Sequence, residues 1–162
     1  MNSKKAIFVC RAAVVAALYV VFTLIAQVFG LASGVIQVRV SEALCILPVF
    51  TFAAVPGLFV GCIISNLICG AVVWDVLFGS LATLIAAIVT YLMRNVKNKV
   101  WCTVPPVAAN TLIVPFVLRY AYGAPGALWY FAITVCIGEI ISCCVFGTIL
   151  YKSLLKYEKY LG

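Results

Sequence analysis

Long runs of apolar residues, separated by short polar segments, extend along almost the whole chain. Four of these runs are long enough to cross a bilayer, because a membrane-spanning helix needs about 20 apolar residues. They cover about residues 7–29, 72–93, 101–121 and 128–151. The pattern predicts an all-α integral membrane protein with a single membrane domain over residues 1–162.

The apolar stretch at residues 43–69 is more difficult to interpret. As one helix it would be over-long, and Pro56 followed by Gly57 interrupts it. As two helices, over about 43–54 and 57–69, each piece would be roughly 18 Å long, against a hydrocarbon core of about 30 Å. The stretch is therefore predicted as a hairpin of two short helices, which either cross the membrane or re-enter it from outside.

The basic residues form three clusters at the ends of the apolar runs. Positive clusters favour the cytoplasmic side of a membrane. Placing all three there requires an even number of crossings between the first and second clusters, which the hairpin allows. The charges thus favour the hairpin and place all three clusters on the cytoplasmic side, and they do not decide whether its two short helices cross the membrane. The clusters are Lys4, Lys5 and Arg11, then Arg94, Lys97 and Lys99, then Lys152, Lys156 and Lys159.

Composition supports this class and disfavours others. Hydrophobic residues make up 67% of the chain and charged residues 9%, with a mean hydropathy of +1.25, whereas a soluble domain is about 45–50% apolar. The net charge of +7 lies at helix ends and does not indicate nucleic-acid binding. Most of the eight cysteines lie in or beside apolar segments, as small buried hydrophobes do. Histidine and a phosphate-binding loop are both absent from the sequence, which disfavours an enzyme, and no metal site is predicted.

Two polar residues lie deep within the apolar runs. Glu139 is roughly 18–20 Å inside the last run, where a carboxylate is costly unless it is paired or neutralised. Asn110 lies at a comparable depth in the preceding run. The pair suggests the floor of a ligand pocket, and the alternative for Glu139 is a protonated or hydrogen-bonded structural residue.

Other candidates lie near the predicted outer ends of the helices. Asp75 begins a helix and is either a ligand contact or a helix cap. Arg39 can extend to the lipid headgroups, and Trp129 either belongs to the interfacial aromatic belt or stacks on a planar ligand. The predicted substrate-binding residues are Glu139, Asn110, Asp75, Glu42, Arg39, Asn66 and Trp129.

Small residues recur at four-residue spacing in the first run. Ala12 pairs with Ala16, and Ala13 pairs with Ala17. Such a stripe lets a second helix approach closely. That helix belongs either to this chain or to a partner.

Several segments occur in an order and spacing that resemble the QueT family, over about residues 8–150. This family comprises substrate-binding S components of energy-coupling factor (ECF) transporters, which import micronutrients into bacteria. The segments are IQVRVSEAL, ISNLICG, DVLFGSLATLIAA, PPVAANTLIV and IGEI.

The resemblance implies six transmembrane helices, the second and third short, with both termini cytoplasmic, which agrees with the charge pattern. It also implies a multi-pass protein of the bacterial cell membrane with an outward-facing pocket capped by the loop at residues 30–42. It implies queuosine precursors or salvage forms as substrates, such as 7-aminomethyl-7-deazaguanine, queuine or queuosine. Glu139 would then accept hydrogen bonds from a guanine-like edge, Asn110 would bind a carbonyl or ring nitrogen, and Asp75 or Glu42 would favour an aminomethyl cation.

The resemblance also implies protein partners. The alanine stripe would dock on a transmembrane coupling subunit, and two ATPase subunits would use ATP, so this chain would need no cofactor. Three other interpretations are an S component for a different vitamin or purine-like substrate, a small structural membrane protein, and a membrane enzyme that uses carboxylates.

Overall fold

The computed structural model describes residues 3–31 and 37–161, apart from the side chains of Tyr160 and Leu161, and every regular element within these ranges is helical. Four helical segments are long and apolar enough to cross a membrane. This confirms the predicted all-α membrane class. The four segments are Ser3–Val28, Val73–Asn95, Lys99–Ala121 and Leu128–Tyr157.

Seven α-helices and one long 3₁₀ helix follow one another along the described chain. The 3₁₀ helix, here called the central helix, covers Val40–Val49. The α-helices are α1 (Ser3–Val28), α2 (Ala54–Ile68), α3 (Val73–Leu92), α4 (Val104–Phe116), α5 (Leu128–Glu139), α6 (Gly147–Leu154) and α7 (Glu158–Leu161). Shorter helical segments are Met93–Asn95, Lys99–Thr103 and Leu155–Tyr157 in 3₁₀ form, and Val117–Ala121 and Ile140–Phe146 in π form.

The central helix lies in the middle of the bundle. Its residues from Ser41 to Pro48 are all buried, and it packs against α1, α3, α6 and the π-helical segment Ile140–Phe146. Apart from Ser41 and Glu42 these buried residues are apolar, as expected of a helix in a protein interior. The bundle is therefore built around this short element.

The predicted hairpin differs from the observed one in where it breaks. The chain turns at residues 50–53, and Pro56 lies in the first turn of α2. A proline is tolerated there because the first N–H groups of a helix have no partner within the helix. The central helix is about 20 Å long and α2 about 22 Å, so both are shorter than a hydrocarbon core of about 30 Å.

Two glycines bring α1 and α2 into direct backbone contact. A Cβ atom added to Gly61 would lie 2.8 Å from the Tyr19 Cβ and 2.9 Å from the Ala16 carbonyl oxygen. One added to Gly57 would lie 2.6 Å from the Ala12 carbonyl oxygen. Small residues allow helices to approach this closely within a membrane.

We expect Gly61→Ala to lower stability by about 1–3 kcal/mol, because its methyl group would push α2 away from the α1 backbone. The measurement is thermal unfolding of the purified protein in detergent. Gly147→Ala is the matched control, since its Cβ would meet the Ala43 carbonyl oxygen at an ordinary 3.5 Å. Equal stability of the two variants would contradict this account of the packing.

Candidate functional site

A cavity of about 400 Å³ opens at one end of the bundle. The end of α2, the start of α3, residues 37–41 and the extension of α4 all meet there, beside the second half of α1. Its volume falls within the range of small-molecule sites. The cavity is lined by Tyr19, Thr23, Ala26, Gln27, Gln37, Arg39, Ser41, Ser65, Asn66, Cys69, Gly70, Ala71, Asp75, Leu118 and Tyr122.

Asp75 places a carboxylate with unused hydrogen-bonding capacity in this lining. Its side chain is only 6% exposed. The Tyr122 hydroxyl donates a 2.8 Å hydrogen bond to Oδ2, while Oδ1 has no donor among the described residues. A buried acceptor without a partner is costly. The arrangement therefore favours a ligand that donates a proton or carries positive charge.

Asn66 and Gly79 complete the surroundings of this carboxylate. A Cβ atom on Gly79 would lie 3.1 Å from the Asp75 Oδ1 and 3.5 Å from the Asn66 Nδ2. The Asn66 Nδ2 donates only a long contact of 3.6 Å to the Cys62 sulfur. The Asp75 carboxylate and the Asn66 amide, both with unused hydrogen-bonding capacity, thus lie beside Gly79, which has no side chain to crowd them.

Tyr122 remains a proton donor under ordinary conditions. Burial, followed by its hydrogen bond to the Asp75 carboxylate, raises the pKa of Tyr122 to about 12. At neutral pH the hydroxyl is therefore protonated and keeps one oxygen of Asp75 occupied.

Arg39 provides positive charge in the cavity lining. The carboxylates of Asp75 and Glu139 both attract its guanidinium. Its side chain lines the same cavity as Asp75, so its donors can serve a carbonyl or ring-nitrogen acceptor of a ligand there.

Two buried carboxylates lie close together next to the cavity, and we call them the acidic pair. Glu42 is 1% exposed and Glu139 is 4% exposed, and their ligand-capable atoms and the Cys143 sulfur all lie within 4.8 Å of one another. The Tyr19 hydroxyl donates to one oxygen of Glu42, and the Cys45 thiol donates to the other at 3.0 Å. Glu42 is therefore well satisfied within the protein.

Glu139 has fewer protein partners than Glu42. The Cys143 thiol donates to it at 3.4 Å, and the Asn110 side chain lies beside it. Asn110 is 1% exposed, and its Nδ2 has no acceptor within hydrogen-bond geometry in the described chain. Like Asp75, this amide is a buried polar group with unused capacity.

The backbone around Glu139 is unusual in two ways. Glu139 ends α5, and the π-helical segment Ile140–Phe146 follows it, a form often found at functional sites. Gly138 has the backbone of Gln37 directly against it, so a Cβ there would overlap the Gln37 carbonyl oxygen. The close contact fixes the segment that carries Arg39 over the helix that carries Glu139.

The structure thus distributes the predicted binding residues over two adjoining places. Arg39, Asn66 and Asp75 line the cavity. Glu42, Glu139 and Asn110 form the buried cluster, and Tyr19 joins the two because it lines the cavity and donates to Glu42.

Trp129 lies apart from both places. It is 68% exposed and makes an edge contact with Tyr130, in keeping with an interfacial aromatic residue. The structure does not bring it into the cavity lining.

The four alanines divide between two faces of α1. Ala12 and Ala16 face α2 at Gly57 and Gly61, whereas Ala13 and Ala17 are exposed. Part of the stripe therefore serves packing within this chain, and part of it is open to another helix.

The predicted lid is described only in part. Residues 32–36 of the loop at 30–42 lie outside the described residues. Gln37 and Arg39 line the cavity, and Gln37 also contacts Gly138.

Sequence reasoning missed Tyr19, Tyr122 and Gly138. The two tyrosines occur in apolar or turn segments where tyrosine is common, so their hydrogen bonds leave no signal in the sequence. Gly138 directly precedes Glu139, and this adjacency is the one available hint of a close backbone approach.

We expect Tyr19→Phe to destabilise the protein by about 1–3 kcal/mol, because it leaves an oxygen of buried Glu42 without its donor. Thermal unfolding in detergent measures the loss. Tyr130→Phe removes the same hydroxyl from a partly exposed side chain and serves as control. An unchanged midpoint for Tyr19→Phe would show that this hydrogen bond does not hold the acidic pair in place.

Comparisons with known proteins agree with the membrane architecture. The family model described as QueT transporter matches residues 9–156. The queuosine precursor transporter QueT of Lactococcus lactis subsp. cremoris (strain MG1363) is 36% identical over 86 residues, a match that covers 52% of this chain and 50% of that protein. No solved structure matches. The family consists of transporters rather than enzymes, which confirms the prediction that this chain is not an enzyme. It also confirms the prediction of a multi-pass protein of the bacterial cell membrane. The chain belongs to the QueT transporter family.

Proposed function

We propose that this chain is the substrate-binding subunit of an importer and that it takes up a 7-deazaguanine precursor or salvage form of queuosine through the cavity at Asp75. The observation that carries the proposal is the unpaired, buried Oδ1 of Asp75 in the lining of a cavity large enough for a small heterocycle. The name of the Lactococcus lactis relative, a queuosine precursor transporter, supports this substrate class.

Asp75 is the better of two candidates for the aminomethyl cation. Both oxygens of Glu42 already accept hydrogen bonds, from Tyr19 and Cys45. Asp75 has one oxygen occupied by Tyr122 and the other without a donor. A charged amine hydrogen-bonded to a desolvated carboxylate gains more than a neutral donor does. We therefore assign the cation to Asp75.

The guanine-like edge of the substrate has a suitable partner in Glu139. One face of this heterocycle presents an N–H and an NH₂ group side by side, which a carboxylate accepts together. The side-chain amide of Asn110, beside Glu139, can donate to the adjoining carbonyl oxygen. Arg39 and Asn66 supply further polar contacts nearer the cavity opening.

Transport requires an energy source that this chain lacks by sequence. We assign ATP use to two partner ATPase subunits and membrane coupling to a transmembrane ECF subunit, so the chain is an S component that needs no cofactor of its own. The exposed Ala13 and Ala17 on α1 offer a face on which a helix of the coupling subunit can pack closely.

We expect Asp75→Asn to weaken binding of 7-aminomethyl-7-deazaguanine by at least about tenfold, because it removes the charge that pairs with the amine. Binding of neutral 7-methyl-7-deazaguanine should change much less. Isothermal titration of the purified protein in detergent measures both ligands.

Glu158→Gln is the control for this experiment, since it removes a carboxylate from an exposed position outside the cavity. Equal loss for the charged and neutral ligands would contradict the assignment of the cation to Asp75. The wild-type protein could instead bind neither ligand and bind guanine, riboflavin or biotin tightly. That result would contradict the proposed substrate class but not the proposed architecture.

We expect Ala13→Trp combined with Ala17→Trp to prevent assembly with the coupling subunit while ligand binding by the isolated chain persists, because bulky side chains block a close helix approach. Co-purification with the coupling and ATPase subunits measures assembly. Ala108→Trp, at an exposed alanine of α4, is the control. A complex that forms normally with the double variant would rule out this face as the docking surface.

A further inference from the structure

A second cavity, of about 440 Å³, lies at the other end of the bundle from the substrate cavity. Residues 97–100, at the start of the segment that leads into α4, form one wall, and α6 forms the other. We call it the lysine cleft. It is lined by Ile46, Lys97, Asn98, Lys99, Val100, Thr103, Thr148, Tyr151 and Lys152.

All the charged side chains that line the lysine cleft are positive. Lys97, Lys99 and Lys152 converge on it from two separate segments of the chain, and its lining contains no carboxylate. The Lys99 ammonium donates to the Arg94 carbonyl oxygen, which fixes its position at the rim. Like charges brought together in this way repel one another unless an anion lies between them. The cleft thus has the electrostatics of an anion site.

Its position favours a membrane lipid over a soluble anion. The cleft lies at the start of one membrane-spanning segment, Lys99–Ala121, and near the end of another, Leu128–Tyr157. Val100 in its lining and the adjacent Trp101 are both exposed apolar side chains, as expected at a membrane interface. An acyl chain can therefore leave the cleft sideways into the bilayer.

The floor of the cleft is also apolar. Ile46 of the central helix lies there, and Tyr151 stacks against Phe50 with ring centroids 5.4 Å apart. The hydroxyls of Thr148 and Tyr151 and the amide of Asn98 add neutral polar groups around the lysines. Such a mixture suits a headgroup that combines phosphate with glycerol hydroxyls.

We propose that the lysine cleft binds the phosphate-bearing headgroup of an anionic phospholipid of the cytoplasmic leaflet. The predicted orientation puts this end of the bundle on the cytoplasmic side, because the cleft contains residues of two of the three basic clusters. Basic pockets between membrane helices on that side bind anionic headgroups. The lysine cleft shares no lining residue with the cavity at Asp75, and the proposal does not depend on the proposed substrate.

The test is titration of the full chain, purified in a neutral detergent, with dioctanoyl-phosphatidylglycerol. Native mass spectrometry counts bound lipid, and thermal unfolding follows the stabilisation. We expect saturable binding that the triple variant Lys97→Gln, Lys99→Gln and Lys152→Gln weakens by at least about tenfold. The single variant Lys97→Gln, at an exposed position, should weaken it by about threefold and covers the case in which the triple variant folds poorly.

Two comparisons make the outcome decisive. A control triple variant, Lys4→Gln, Lys5→Gln and Lys156→Gln, removes the same charge outside the cleft and should bind the lipid like wild type. Equal weakening in both triples would reduce the effect to general surface charge and overturn the proposal. The proposal would also fail if dioctanoyl-phosphatidylcholine bound as tightly as dioctanoyl-phosphatidylglycerol, or if inorganic phosphate at equal concentration displaced the lipid.

Discussion

A carboxylate inside a membrane protein must be hydrogen-bonded or neutralised, and Glu42 imposes this constraint on the centre of the bundle. Its donors come from Tyr19 on α1 and Cys45 one turn along the central helix. Tyr19 reaches Glu42 because α1 packs directly against α2, where Gly61 has no side chain to separate the two backbones. The close helix packing and the hydrogen bonding of the buried Glu42 side chain therefore depend on each other.

The short elements of the fold explain why a cavity exists at all. The central helix and α2 reach about two thirds of the way across a hydrocarbon core of about 30 Å, whereas their neighbours are long enough to cross it. The space beyond their ends is enclosed by the longer helices and by residues 37–41. Polar groups on Arg39 and Asn66 at these ends, and on Asp75 at the start of α3, line that space.

The sequence allows the long helices and several polar site residues to be predicted, because both follow from the cost of exposing polar groups to lipid. Glu139, Asn110 and Asp75 are conspicuous for that reason, and all three are buried in the structure. The 3₁₀ form of residues 40–49 and the turn at residues 50–53 are not predictable in the same way. Pro56 is compatible with either the end or the first turn of a helix, and tertiary packing decides between them.

The central helix also connects the cavity at Asp75 with the lysine cleft. Glu42, near its start, contacts Tyr19 in the lining of that cavity, and Ile46, four residues further on, lines the lysine cleft. Because all residues from Ser41 to Pro48 are buried, a shift at one end displaces close-packed neighbours at the other. A ligand that drew Arg39 toward Asp75 would therefore act on the same short helix that a bound headgroup would hold from the opposite end, because Arg39 directly precedes Val40.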